Sequence, residues 1–246
     1  MKAAKRLGLA LVISKMGYCS RSQAVALILG KRVCVNGRVV VDPESPTRVP
    51  HDCIEIDGSA LEKRPAVYLA MNKPRGVVTT ASDEKGRATV YDLLEGTGPW
   101  LAPVGRLDKA SEGLLLLTND SQWAARITDP ASHLDKTYHV QVDRIAEPDL
   151  LAKIAQGCEA GGEHLHAKRA QLLRTGNKNS WLEIALDEGR NRQIRRLLNA
   201  LGVGVLRLVR VSIGPLELGN LSKGAVRPLT AKEKQSLDRA LKRAAR

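Results

Sequence analysis

Read for hydrophobic and polar positions, the chain is a series of short apolar pieces, and the pattern is sharpest near the middle. Segment 103-PVGRLDKASEGLLLLTND-120 crowds Gly105, Arg106, Asp108, Lys109, Ser111 and Glu112 into a polar loop, then runs through Leu114, Leu115, Leu116 and Leu117. This run is too short to cross a membrane. Bounded by Gly113 and the Asn119-Asp120 turn, it predicts a buried strand. A scaffold strand therefore carries a loop in which Asp108 stands between the cations Arg106 and Lys109, and nearby positive charge favours an ionised carboxylate. A salt-bridged surface loop is the plain alternative.

Upstream, 6-RLGLALVISKMG-17 has helical apolar spacing and stops at Gly17. Ser20 with Gln23 forms a capping box for a second helix carrying Val25, Leu27, Ile28 and Leu29, which Gly30 ends. In 32-RVCVNGRVV-40, Val33 and Val35 alternate into an Asn36-Gly37 turn and out through Val39 and Val41, the mark of a hairpin. Pro, Asp and Gly then dominate as far as residue 65, around one strand at Ile54 and Ile56. A first domain over 1–60 and a linker over 61–66 follow.

The remainder predicts strands over 67–72 and 77–80 around the turn Lys73-Pro74-Arg75-Gly76, and a loop with a short helix over 81–94. Helix 121–129 is expected to be capped by Ser121, with Trp123 in the core. Strand 136-KTYHVQV-142, an amphipathic helix over 147–157 and a strand ending at Leu186 come next. Asp187-Glu188-Gly189 turns the chain into a helix with Ile194, Leu197, Leu198 and Leu201 inward. Strand, Gly-Pro turn and loop fill 203–230, and 231–246 reads as a basic tail, a short helix that frays.

Composition narrows the chemistry. Hydrophobic residues make up 43% of the chain but there is no Phe, so the core must be Leu, Val, Ile and Ala. The formal net charge of +13 is that of a polyanion binder, nucleic acid first. No basic helix with a Trp- or Leu-lined face supports a membrane surface instead. Residues 1–41 hold eight Lys or Arg and no Asp or Glu. Among them Arg21, Lys31, Arg32 and Arg38 surround the helix–hairpin junction, where the second helix's N-terminus would suit a phosphate. Arg190, Arg192, Arg195 and Arg196 crowd the first turns of a later helix. Guanidiniums at a positive helix end repel one another, which favours an anionic partner.

Cys19, Cys34, Cys53 and Cys158 are scattered, supporting neither a zinc site nor a disulfide framework. His164 and His166 alternate at strand spacing with nothing to complete a metal set, and the glycines near 157–162 are no dinucleotide fingerprint. No metal and no cofactor are expected. The N-terminus lacks a signal peptide's features, so a soluble, cytoplasmic protein is expected.

Five blocks in order resemble one family: NKPRG, GRLDKASEGLLLLTND, the Lys136-x-Tyr138 pair, EGRNRQIRR and LVRVSIGPLELG are similar to motifs of the bacterial ribosomal RNA pseudouridine synthases of the RsuA/RluB type. SRSQAVALILGKRVCVNGRVV resembles their small S-four-like RNA-binding domain, first known from a small-subunit ribosomal protein. The resemblance implies an α+β fold, with a helix–helix–hairpin domain followed by a larger, mainly antiparallel mixed-sheet domain over 67–230. It implies isomerisation of uridine to pseudouridine, with Asp108 as catalytic carboxylate and Arg195 paired to it. Tyr138 would stack on the base, Arg106 would help hold the nucleotide open, and Ile213 would form an apolar wall. Stacking of a base on an aromatic ring is worth about 1–3 kcal/mol. The remaining arginines, Arg190, Arg192 and Arg196, are assigned to phosphates with the N-terminal cations. Whether the carboxylate adds to the uracil ring or assists at the ribose anomeric carbon stays open.

The implied partner is ribosomal RNA or a pre-ribosomal particle presenting an unpaired uridine to a monomeric enzyme. Segment 71–94 is closer to the large-subunit enzymes. Two rival functions remain. One is an RNA-binding assembly factor that has lost the chemistry, against which Asp108, Tyr138 and Arg195 stand together. The other is a methyltransferase, which would need a Gly-rich nucleotide-binding turn that the sequence lacks.

Overall fold

The computed structural model describes residues 6–49, 51–80, 83–94 and 100–244. These described residues divide into two compact units, one falling within 1–68, 96–102 and 117–123, the other within 69–95, 103–116 and 124–246.

In the first unit β1 (Leu7–Gly8) precedes α1 (Leu9–Lys15). The helix therefore starts later than its apolar spacing suggests, because residues 7 and 8 are spent on a strand pairing. Gly17 ends this stretch at φ +78°. The box at α2 (Arg21–Leu29) is complete: Gln23 N donates to Ser20 Oγ at 3.1 Å and Ser20 N to Gln23 Oε1 at 2.9 Å. Helix α2 buries Ala24 and Ile28, whereas Leu29 is 61% exposed. Strands β2 (Val33–Val35) and β3 (Arg38–Val39) flank Asn36 and Gly37, both at positive φ, as a tight hairpin turn requires. β4 (Pro46–Thr47) is the partner of β1. Val39 and Val41 are exposed, so the hairpin's return strand is not a core strand; β2 instead pairs on its other side with β5 (Ile54–Ile56). β6 (Ser59–Ala60) completes the sheet in the order β3-β2-β5-β6. Leu9, Val12, Ile13, Ile28, Val33, Ile54 and Ile56 form its core.

The rest of the chain is built on a nine-stranded mixed sheet. In chain order come β7 (Tyr68–Lys73), β8 (Ala102–Val104), β9 (Glu112–Thr118), α3 (Ser121–Thr128), β10 (Lys136–Val142) and α4 (Pro148–Gln156). A small hairpin, β11 (Cys158–Glu159) and β12 (His164–Leu165), leads to β13 (Arg169–Thr175), β14 (Ser180–Leu186), α5 (Gln193–Ala200) and β15 (Val205–Ile213). β16 (Leu216–Glu217), β17 (Val226–Pro228) and α6 (Ala231–Ala244) finish it. The sheet order is β13-β14-β10-β15-β9-β7-β17, with β16 on β15 and β8 on β9. β9 runs parallel to β15, while β10, β13, β14, β16 and β17 join by antiparallel pairings. The α+β class with a mostly antiparallel sheet is thus the observed one.

Leu114 to Leu117 are wholly buried. Gly113 (φ +102°) must be glycine: a Cβ there would lie 2.3 Å from Arg210 O across the parallel pairing. On one face of β10 and β14, Val140, Val142, Leu182, Ile184 and Leu186 pack with Ile154 of α4 and Ile194, Leu197 and Leu198 of α5.

Several expectations change. Residues 77–80 hold only an isolated bridge, Val78 to Thr89, and not a strand. The helix expected by 94 is absent from residues 83–94, which turn under Asp83 and Asp92 caps; residues 81 and 82 lie outside the described set. Asp120, not Ser121, caps α3, accepting from Trp123 N at 3.0 Å, and Trp123 is fully buried as expected. The basic tail is a packed helix. Thr230 and Glu233 cap α6 reciprocally, Arg227 grips Glu233, and Leu237 and Leu241 are buried one turn apart. An i, i+4 leucine pair anchors the helix, a signal masked in the sequence by the surrounding lysines and arginines.

We expect Leu237→Ala to destabilise the second unit by about 2–5 kcal/mol, the range for emptying a buried leucine site, as read by denaturant unfolding. A loss below roughly 0.5 kcal/mol, typical of surface changes, would mean that α6 is not part of the core.

Candidate active site

The loop 107–111 is fixed through its backbone. Five successive carbonyls each accept a hydrogen bond: Leu107 O from Thr79 Oγ1 (2.8 Å), Asp108 O from Ser111 N (2.9 Å), Lys109 O from Gly76 N (2.8 Å), Ala110 O from Arg195 Nη2 (3.1 Å) and Ser111 O from Lys73 Nζ (2.9 Å). Thr79 Oγ1 also accepts from Leu107 N at 3.3 Å, so one hydroxyl holds both backbone polar groups of Leu107, the residue before Asp108. Gly105, at φ +73°, turns β8 into this loop. The segment after the Lys73-Pro74-Arg75-Gly76 turn thus holds the aspartate loop.

Lys73 is the unexpected member. It has no solvent exposure and also donates to Pro74 O at 3.0 Å. Burial lowers its ammonium pKa from 10.5 to about 8, with Glu112 and Asp108 opposing.

Asp108 opens into a cavity of about 570 Å³, of a size suited to a nucleotide. Arg106, Tyr138, Ile213, Arg190 and Arg192 line it as well, so six of the twelve candidates named from sequence meet here. Leu186, Ile194 and Leu208 supply an apolar wall beside Tyr138 and Ile213. Two further cations belong to the site and were not foreseen, Lys136 and Arg210. Lys136 lies two residues before Tyr138 on β10 and so on the same face, a period-two signal that was legible. Burial, followed by the Arg210 charge, lowers the Lys136 ammonium pKa from its ordinary value. Arg210 is itself buried and donates from Nε to Leu114 O at 2.7 Å.

The ion pair expected between Asp108 and Arg195 is replaced by another. Arg192 Nη1 lies 3.4 Å from Asp108 Oδ2. Arg192 sits at φ +49° ahead of α5, a left-handed position that costs a non-glycine residue strain. Arg195, one helical turn on, bonds the carbonyls of Ala110 and Val205 instead. Burial, and then Arg192, lower its guanidinium pKa, and Asp108 opposes this through space. Arg195 therefore acts on the carboxylate by its field and by holding the loop.

Two arginines assigned to phosphates have internal partners. Arg190 Nε lies 2.9 Å from Glu188, and Arg196 Nη1 lies 2.6 Å from Glu163, with a further bond to Ala160 O. One carboxylate two residues away and one far off in sequence thus relieve the repulsion that suggested an anionic ligand. In the first unit Arg21 pairs with Glu44 at 2.7 Å and Arg32 holds Asp57 with two bonds, while Lys31 and Arg38 are exposed. Arg21 and Arg32 keep more than half of their side-chain surface. Among the described residues no cluster of metal-binding side chains occurs, and no helix is long and apolar enough to cross a membrane.

A nucleotide-sized cavity with an aspartate among cations and a tyrosine wall, in a chain with a basic N-terminal segment, is suited to a nucleic-acid substrate. Comparison with known proteins gives the class. Residues 67–200 match the family model for RNA pseudouridylate synthase, and residues 7–49 match that of the S4 domain. The chain is 39% identical over 229 residues to ribosomal large subunit pseudouridine synthase B of Bacillus subtilis, covering 92% of this chain and 93% of that one. It is 38% identical to an uncharacterized RNA pseudouridine synthase of Mycobacterium leprae, over 92% of this chain and 90% of the other. A crystal structure of a pseudouridylate synthase superposes with a TM-score of 0.64 at 34% identity, covering 94% of this chain and 99% of that one. The chain belongs to the RNA pseudouridylate synthase family, whose members are isomerases, and carries an S4 domain.

Two predictions follow from the pinned loop. Thr79→Val should lower kcat about tenfold or more, equivalent to about 1.4 kcal/mol of barrier, with KM little changed. Thr79→Ser should restore it; equal loss in both would remove the hydroxyl from the explanation. Lys73 supplies the second. Its folded pKa of about 8 lies below the ordinary 10.5, so between these values the unfolded chain holds the extra proton. This residue then adds stability as pH rises through that window and nothing further below it. Lys73→Met should flatten the rise in unfolding free energy over that range, and an unchanged slope would contradict it.

Proposed function

We propose that the chain converts a uridine of ribosomal RNA to pseudouridine, with Asp108 as the catalytic carboxylate. The net change breaks the N1–C1′ bond, forms C5–C1′ and moves one proton from C5 to N1, so nothing enters or leaves. The observation that carries the reading is the contrast at Asp108: its backbone is held on both sides while its carboxylate stands, about one third exposed, in a nucleotide-sized cavity. Such fixation removes the orientational cost of attack, whether the carboxylate adds to the uracil ring or assists at C1′. Arg192 contacts the carboxylate directly, and Arg195 holds the loop that carries it. Tyr138 offers the base a stacking face against Ile213, and Arg106 at the mouth helps hold the nucleotide open.

The target is an unpaired or flipped nucleotide, since a stacked base cannot reach the cavity. Large-subunit RNA is the proposed substrate, supported by the name of the Bacillus subtilis relative and its near full-length match. The S4 domain contributes RNA contact through exposed Lys31 and Arg38, with Arg21 and Arg32 able to exchange their acidic partners for phosphates. The enzyme works as a monomer in the cytoplasm.

The test is pseudouridine mapping over both ribosomal RNAs in cells lacking the gene, complemented with wild type or Asp108→Asn. One large-subunit site should vanish and return only with wild type. Purified Asp108→Asn should bind the target RNA at least as tightly as wild type, within about twofold, because removing an anion from a basic cleft does not weaken polyanion binding. Full modification by Asp108→Asn would sink the catalytic assignment. No missing site in the deleted strain would favour an RNA-binding assembly factor.

A further inference from the structure

The aspartate loop is a partition. On its other side lies a second cavity of about 520 Å³, bounded by Thr79, Lys85, Arg87, Lys109 and Asn191 and sharing Arg106, Leu107 and Asp108 with the first. Its charges divide into two kinds. Arg87 is locked onto Asp83, whose carboxylate also accepts the backbone N–H groups of Lys85 and Arg87; this pair is framework. Arg106, Lys109 and Lys85 are exposed, and none forms an ion pair among the described residues. Glu84 is the acid at the rim. Asn191 is exposed, and its amide can both donate to and accept from a base edge.

A polynucleotide whose uridine meets Asp108 in the first cavity remains tied by phosphodiesters to a nucleotide on either side. We propose that the second cavity is a subsite for the nucleotide adjacent to the target, a proposal that rests on the function assigned above. The connecting phosphate crosses the partition beside Arg106 and Lys109, Lys85 neutralises the outer phosphate, and Asn191 reads the base. The volume suits one nucleotide. The partition thus serves two tasks: it presents the carboxylate to one nucleotide and separates that nucleotide from its neighbour. Sequence context would then be selected at Asn191, away from the reacting atoms.

The experiment is a double-mutant cycle read by equilibrium binding, which requires no turnover. Asp108→Asn, with and without Lys85→Ala plus Asn191→Ala, is titrated with hairpin RNAs carrying the mapped uridine. The hairpins are unmodified, or abasic at the nucleotide 5′ or 3′ of the target. The double substitution should weaken binding of the unmodified hairpin severalfold. An abasic residue on one side, and only one, should weaken it as well, and the two together should cost less than the sum of their separate losses, because the Asn191 contact to the base is lost once while the Lys85 contact to the phosphate is lost only with the protein change. Additive losses at both neighbours, or no loss from the protein changes, would overturn the subsite and leave the assignment of Asp108 untouched. Absence of any mapped uridine would overturn that assignment and the subsite with it.

Discussion

The site depends on one constraint: the carbonyls of residues 107–111 all accept hydrogen bonds, and three of the donors are side chains, Thr79, Lys73 and Arg195. A polar loop beside a buried strand would otherwise leave backbone acceptors either desolvated or mobile, and each unpaired buried group costs on the order of 1–3 kcal/mol. Satisfying them from three directions makes the loop part of the scaffold. Lys73 shows what this arrangement costs. Its ammonium is kept in a dry place, with a pKa lowered to about 8, to supply donors that a neutral side chain of that length cannot.

Charge at the site follows the same logic. A cluster of arginines before and within α5 would be self-repelling if all were free. Glu188 and Glu163 take up Arg190 and Arg196, which leaves Arg192 and Arg195 to act on Asp108 at different ranges. Arg192 approaches the carboxylate directly but only at 3.4 Å and half exposed, a loose contact that substrate can displace. Arg195 stays behind the loop, where it cannot be displaced without releasing Ala110. The loop is thus held firmly from behind, while the carboxylate itself has only a loose contact on the side that faces the cavity.

Local signals in the sequence were legible and long-range ones were not. The Ser20–Gln23 box, the Asn36-Gly37 turn, the Leu114–Leu117 strand and buried Trp123 are each set by neighbours within a few residues. The convergence of Asp108, Arg106, Tyr138 and Ile213 was legible only through motif resemblance, since nothing in their spacing of up to 107 positions brings them together. Burial of Lys73 was hidden because a lysine in a Pro-Gly turn reads as surface. The exchange of Arg195 for Arg192 turns on one left-handed residue, which propensity does not predict for arginine. Helix α6 was misjudged because two leucines carry its packing while the charges dominate its composition.

The position of Thr79 links these observations. It stands in an irregular stretch that the sequence pattern suggested was a strand, and its side chain spends both hydrogen-bonding roles on Leu107. Had residues 77–80 joined the sheet, that hydroxyl would have been fixed by strand pleat instead of by the aspartate loop. Leaving the sheet frees the segment to follow the loop. The second cavity is lined by this segment, Val78, Thr79 and Thr80, and by Leu107, Asp108 and Lys109 of the aspartate loop. A family member that repacked 77–80 as a regular strand would therefore have to hold its aspartate by other means, and would lose the adjoining cavity with it.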